Sequence, residues 1–424
     1  MTAVLVALAG LGCGSGQHAG SDVLIDRPRP DAGPGQVDAN YDACSLGFWD
    51  VQDPVSTHAA VLDYDKPLHD NMARNDPDAT VAAFLDGEGV AVFGYRHFVR
   101  ATLDGNFVSS VAFPTDPTSG HELWADSTAR PVQSPSVYGA PLLDGAGSRF
   151  CLVQMDGTVD LAICSAIPDN TGMWAPVWDG AAFRLVATFG WGAEAKRYVL
   201  AYDPLTGQMT SQVLLPGAYG RGSTRPFFYP DRVELFSGGG RPDTACYSFF
   251  FEVLPPSLSD TGRQEWDLLP TDFRAGSWWD AASSGRSTVL RFTGECWQRP
   301  PWATYPTYVA CSEPYPPAPP TGDFLAFIDP TGSPPAPVRV SGGIHVLSWS
   351  GEQFVDFREI DLVLYDEDGR FVARAGLPAE FPIGVGMEIL GVRLLPVGPW
   401  DYLYFYSVAG TSITHMARFH LVPL

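Results

Sequence analysis

Residues 174–216 read WAPVWDGAAFRLVATFGWGAEAKRYVLAYDPLTGQMTSQVLLP. Asp179-Gly180 interrupts one apolar run, and Asp203 to Gly207 interrupts another. Asp and Gly at such points supply the tight-turn chemistry and positive φ that short hairpins need. The stretch therefore reads as two hairpins, or four short strands. The first hairpin recurs as VAAFLDGEGVAVF (81–93), APLLDGAGSRFCLV (140–153) and HVLSWSGEQFVDF (345–357), with a looser copy, PFFYPDRVELF (226–236). The second recurs as VRATLDGNFVSSVAFP (99–114), LAFIDPTGSPPAPVRV (325–340) and LVLYDEDGRFVARAGLP (362–378).

A repeated unit of four strands and roughly 40–50 residues is the sequence signature of a β-propeller. The expected fold is all-β, with seven four-stranded blades beginning near Ala79, Val137, Met173, Ser223, Ala275, Gly343 and Gly386. Six or eight blades are left open, because the second and fifth units stray furthest from the pattern. The last unit offers about three strands before the chain stops. VSTHAAVLD (55–63) is expected to supply its fourth and close the ring, which would remove an exposed sheet edge. Composition agrees with this. In 424 residues there are 44 Gly and 38 Pro, which favours many turns, and 45% apolar residues, enough for a large core.

The W-D-G turn followed by F-x-L-V, together with the later D-P-x-x-G turn, resembles repeats of large bacterial exported propeller proteins, many of them lipoproteins. The resemblance covers about Ala79 to Leu424. It implies the architecture and an exported setting but selects no activity, since one fold hosts many functions.

The N-terminal end fits that setting. MTAVLVALAGLG (1–12) is apolar and too short for a mature membrane span, and Cys13 follows it directly. Small residues before a cysteine resemble a lipoprotein signal, although Gly10 stands where Leu is usual and no Lys or Arg precedes the apolar run. Lipidation at Cys13 and an outer-membrane or cell-surface location are expected, with periplasmic or secreted export as the alternative. Residues 14–44 are rich in Gly, Pro, Asp and Ala and poor in large apolar side chains, as a flexible tether would be. The propeller domain is expected over 45–424.

Six cysteines follow Cys13, and an even number in an exported chain suggests disulfides. Cys151 with Cys164, flanking a hairpin, and Cys296 with Cys311, flanking a long loop, are favoured by local geometry. Cys44 and Cys246 would remain to pair with each other. No spacing typical of a zinc site occurs.

The formal charge of −22 disfavours nucleic acid and anionic lipid, which both need clustered Lys and Arg. A membrane contact is expected only through the lipid anchor, and the protein is expected to be a monomer. The acidic run DYDKPLHDNMARNDPDA (63–79) lacks the EF-hand spacing, so no cofactor is expected, with calcium as the remaining option. No G-x-S-x-G elbow occurs and the eight His are scattered.

The feature that departs most from the repeat is the loop CWQRPPWATYPTYVACSEPYPPAPPTG (296–322). Its Trp297, Trp302, Tyr305, Tyr308 and Tyr315 are candidate ligand-binding residues, since rigid aromatics offer flat apolar faces at low entropic cost. Trp278 and Trp279 read as packing residues, as do Trp178 and Trp349 at matching positions. The expected function is a binding or scaffold module for an envelope glycan, peptide or protein. The alternative is a propeller-type polysaccharide hydrolase or lyase, with catalytic residues that the sequence does not select.

Overall fold

The computed structural model describes residues 54–424, except for connecting segments of which the longest are 70–79, 297–320, 329–337 and 378–388. The first strand, β1 (His58–His69), precedes the repeats. The first sheet holds β2 (Thr80–Asp86), β3 (Gly89–Gly94), β4 (His97–Thr102) and β5 (Phe107–Ala112). The second holds β6 (Trp124–Ala125), β7 (Val132–Gln133), β8 (Val137–Leu143), β9 (Ser148–Gln154) and β10 (Ser165–Ile167). The third holds β11 (Gly172–Met173), β12 (Val177–Trp178), β13 (Phe183–Phe189), β14 (Lys196–Tyr202) and β15 (Met209–Leu214). The fourth consists of β16 (Arg221–Phe228), β17 (Val233–Gly240), β18 (Tyr247–Leu254) and β19 (Gln264–Asp267). The fifth consists of β20 (Phe273–Ser283), β21 (Thr288–Cys296), β22 (Thr321–Ile328) and β23 (Val338–Val340).

The remaining strands form one eight-stranded sheet. Its first half is β24 (Val346–Trp349), β25 (Phe354–Phe357), β26 (Asp361–Tyr365) and β27 (Phe371–Gly376). Its second half is β28 (Ile389–Gly398), β29 (Asp401–Val408), β30 (Thr414–Pro423) and β1. The fold is an all-β propeller, but the expectation of seven separate blades is corrected. Among the described residues there are five discrete sheets and one of eight strands. The fusion has a local cause. Besides its antiparallel ladder with β30, β1 makes a short parallel pairing to β27, His58 with Ala375 and Ala59 with Gly376. The halves nevertheless pack face to face, with Val355, Phe357 and Leu364 against Tyr402, Tyr404 and Phe419.

The second unit starts earlier than its sequence suggests. Val137 opens β8, the second strand of that sheet, and the first position is filled by the two-residue strands β6 and β7, which both pair with β8. Strands this short leave almost no alternating pattern to read.

The core lies between the sheets rather than within one layer. Val81, Phe93 and Phe98 of the first sheet meet Tyr138 and Cys151 of the second, and similar clusters fill each following gap. A middle strand is thus covered on both sides, as in β26, where all five residues are buried. The outer strand β15 is exposed throughout. Trp178 tilts over Phe183 and Trp349 over Phe354, at centroid distances of 5.0 and 4.7 Å, so the two tryptophans occupy equivalent places.

Buried charges also link neighbouring sheets. Glu252 on β18 accepts from Arg197 Nη1 of β14 at 2.7 Å and from Nη2 at 3.0 Å. Arg263 adds two donors, Nε at 3.1 Å and Nη2 at 2.9 Å. Asp356 on β25 likewise receives Arg291 of β21 and Arg358 Nε at 2.8 Å.

The two turns of the repeat differ in what surrounds them. Asp179 Oδ1 accepts the N–H groups of Ala181 and Ala182, and Asp203 Oδ1 accepts those of Leu205 and Thr206. Gly180 has φ +94° and open space where a Cβ would stand. Gly207 has φ +65°, and a Cβ there would collide with the main-chain oxygen of Ile163, which belongs to the preceding sheet's connection. Ser165 Oγ donates to the Gly207 carbonyl at 2.8 Å across the same gap. The first hairpin turn is free, whereas the second is a docking point.

The Cys151–Cys164 disulfide is formed, with Cα atoms 4.3 Å apart, and joins β9 to the residue before β10. Cys13, Cys44, Cys246 and Cys311 lie outside the described residues, as does the side chain of Cys296.

Candidate functional site: the axial cavity

The first strands of the units surround a cavity of about 340 Å³. Phe84 of β2, Val132 of β7, Val177 of β12, Phe227 of β16, Val346 of β24 and Leu394 of β28 supply apolar walls, and Ala282 with Ser283 of β20 completes the circuit. Pockets for small ligands commonly span about 300–1,000 Å³, so the volume suits a small molecule or the end of a larger one.

Two arginines, Arg130 and Arg225, interrupt this apolar lining. Both residues precede a proline, Pro131 and Pro226, which holds them in extended backbone. Arg225 donates through Nη1 to Asp280 Oδ1. Asp280 itself is buried. Its Oδ1 also accepts the Ala281 N–H at 2.9 Å, and its Oδ2 accepts the Leu347 N–H at 3.1 Å. One carboxylate therefore ties β16, β20 and β24 together. Burial alone would raise the Asp280 carboxyl, but the Arg225 and then the Arg130 charge, helped by both N–H groups, hold it below the usual carboxylate range. Burial presses the Arg225 guanidinium below its ordinary value. Asp280 offsets part of this, and the like charge of Arg130 adds to it.

Trp297, Trp302, Tyr305, Tyr308 and Tyr315 lie outside the described residues. What can be placed is where their loop departs. Phe273, the first residue of β20, pairs with Cys296 at the end of β21, while the cavity touches Ala282 and Ser283 at the opposite end of β20. At about 3.3 Å per residue the two ends of that strand are roughly 30 Å apart. Sequence reading missed Arg130 and Arg225. Their only local mark is the Arg-Pro step, which recurs at 27, 29, 241 and 299 and so selects nothing.

Among the described residues no group of three or more His, Cys, Asp and Glu could hold a metal ion. Asp63 and Asp65, at the start of the acidic 63–79 run, meet His420 at 3.0 Å and His415 at 3.1 Å along the β1–β30 seam. The turn acids of YDEDG serve the backbone, with Asp366 Oδ1 accepting the N–H groups of Asp368 and Arg370.

No protein-family description and no curated protein sequence matches this chain. Solved structures do. The polysaccharide lyase Uly1 superposes with a TM-score of 0.50 at 10% identity, over 86% of this chain and 100% of that one. The Pan2 WD40 domain of Neurospora crassa gives 0.49 at 10% identity, over 86% and 96%. Hydrazine synthase of Kuenenia stuttgartiensis gives 0.48 at 11% identity, over 84% and 95%. At such identities the likeness is one of fold alone, and that fold is the β-propeller.

Proposed function

We propose that the chain is a ligand-binding module whose site is the axial cavity, presented at the cell envelope by a lipid anchor on Cys13. The observation that carries the binding reading is the cavity itself. It is walled by one strand from every unit and mostly apolar, and it carries a few polar groups held in fixed positions, the arrangement expected of a small-ligand site. The partner classes are a glycan, a peptide or an exposed protein segment that inserts its end into the cavity. Hydrolysis or lyase chemistry would need an acid and a base facing each other there. The ionisable groups among the described lining residues are two arginines, and Asp280, the carboxylate bonded to Arg225, is committed to that pair and to two N–H groups.

The test is a glycan and peptide array probed with the full-length protein and with Ala83→Trp, which fills the cavity from β2. Signals present for the wild type and lost in a folded Ala83→Trp variant support the reading. The same signals in both would move the site elsewhere. The anchor is tested separately, since Cys13→Ala should shift the protein from the membrane fraction to the soluble one, and a variant that stays with the membrane refutes it.

A further inference from the structure

We propose that the outer edge of β15 is a pairing site for a second copy of this chain, so that two molecules join edge to edge through an antiparallel β15–β15 ladder. The proposal does not depend on what the axial cavity binds, and it departs from the monomer expected from the sequence.

The edge itself is the first support. β15 ends the third sheet and, among the described residues, pairs with β14 only. The Leu215 N–H donates to the Arg197 carbonyl at 2.8 Å, and the register continues with Val213 opposite Val199 and Ser211 opposite Ala201. Antiparallel ladders alternate, so 211, 213 and 215 turn their main-chain groups to β14, while Gln212 and Leu214 turn theirs outward. All six residues of β15 are exposed, the apolar Met209, Val213 and Leu214 among them. An exposed edge of this kind is a template for another strand.

The other outer strands are blocked in ways that β15 is not. β19 carries Glu265 and Asp267, β23 carries Arg339, and β10 is only three residues long. β5 lacks charge, but three of its six residues are half-buried. β27 is already covered by β1, so this ring uses outer-edge pairing once to join two of its own units. Charge, shortness and coverage are the usual guards of an edge.

Charge also points to the occupant. A second copy brings the same −22 formal charges, so two copies repel except where charge is absent. Residues 204–220 contain no charged side chain. A twofold contact further needs a patch that is complementary to itself. Centred on Gln212, an antiparallel ladder sets Gln212 against Gln212 of the second copy, Val213 against Ser211 and Leu214 against Thr210. This register places outward main-chain groups of Gln212 opposite their own kind and brings no like charges together.

The experiment is sedimentation equilibrium of the full-length protein from about 5 to 500 µM. A single short ladder makes a small interface, so a weak and reversible dimer is expected, with Kd below about 100 µM. Gln212→Lys and Gln212→Glu each set like charges face to face and should weaken association by about tenfold or more. An equimolar mixture of the two variants sets Lys against Glu and should restore the dimer. Melting temperatures check that both variants remain folded. In amide hydrogen exchange, the Gln212 and Leu214 N–H groups should gain protection as concentration rises, whereas those of Ser211 and Val213 are protected at every concentration. A wild type that stays monomeric at about 500 µM overturns the proposal. So does a dimer that persists unchanged in both folded variants, or a mixture that stays monomeric.

Discussion

Glu252→Gln is the substitution that probes most directly how the sheets hold together. Glu252 is fully buried and accepts two hydrogen bonds from Arg197 on the third sheet and two from Arg263. Gln preserves the shape but removes the negative charge and turns one acceptor into a donor that faces a guanidinium. Arg197, whose side chain is 3% exposed, would then be a buried cation without its counterion. Arg263 would keep Glu265, with which it also pairs. Breaking one partner out of a buried pair costs about 3–5 kcal/mol. With 424 residues and about 2.1 cal/mol/K each, the unfolding entropy is about 0.9 kcal/mol/K. The melting temperature should therefore fall by about 3–6 °C in scanning calorimetry. The double variant Arg197→Met with Glu252→Leu should lose less than Glu252→Gln alone, because it removes both charges together. A Glu252→Gln melting temperature within about 1 °C of wild type, or a double variant worse than the single, would refute the account of Glu252 as a required counterion.

Three further outcomes follow from the turns and the disulfide. Gly207→Ala should destabilise more than Gly180→Ala by about 1–3 kcal/mol in urea titrations, since both pay for positive φ but only Gly207 abuts a neighbouring main chain; equal losses would refute the docking role. The N–H groups of Thr206 and then Leu205 hold the Asp203 carboxyl below the usual carboxylate range. Its contribution is thus present above its unfolded pKa and lost as pH falls through the folded one, so the urea-midpoint gap between wild type and Asp203→Ala should close between about pH 5 and pH 2. A gap that widens in acid would contradict this sign. Cys151→Ser and Cys164→Ser should each cost about 2–4 kcal/mol in urea titrations and share one midpoint, and a wild-type midpoint in either would refute the contribution of that bond.

The turns and hairpins were legible because they are local. Asp179-Gly180 and Asp203 to Gly207 announce themselves within a few residues, and Cys151 and Cys164 are 13 positions apart on one hairpin-like excursion. The closing strand was legible as a shortage, a last unit one strand short with a spare apolar run before the first. The fused sheet was not legible, because it depends on a two-residue parallel pairing of β1 with β27. Buried ion pairs were hidden for a different reason. A charged residue in a strand reads as a solvent-facing position, but radial stacking covers both faces of the middle strands. One signal was available. Arg197 and Glu252, and likewise Arg225 and Asp280, are 55 residues apart, close to one repeat, so opposite charges spaced by the unit length mark contacts between consecutive sheets. The cavity arginines needed all the first strands to be placed before their meeting could be seen.

The seam between the two ends of the described chain has a consequence for how the molecule is made. β1 pairs with β30 along nearly its whole length, yet His420 and Asp63, which meet there, are 357 residues apart. During synthesis the first strand emerges long before its partner exists. It must remain an unsatisfied edge until β30 (Thr414–Pro423) arrives, and contacts of such separation form slowly. The ring therefore cannot be completed by a product that stops before β30. An interrupted chain would expose both the waiting strand and the apolar flank of the first sheet, the state in which aggregation or degradation competes with closure.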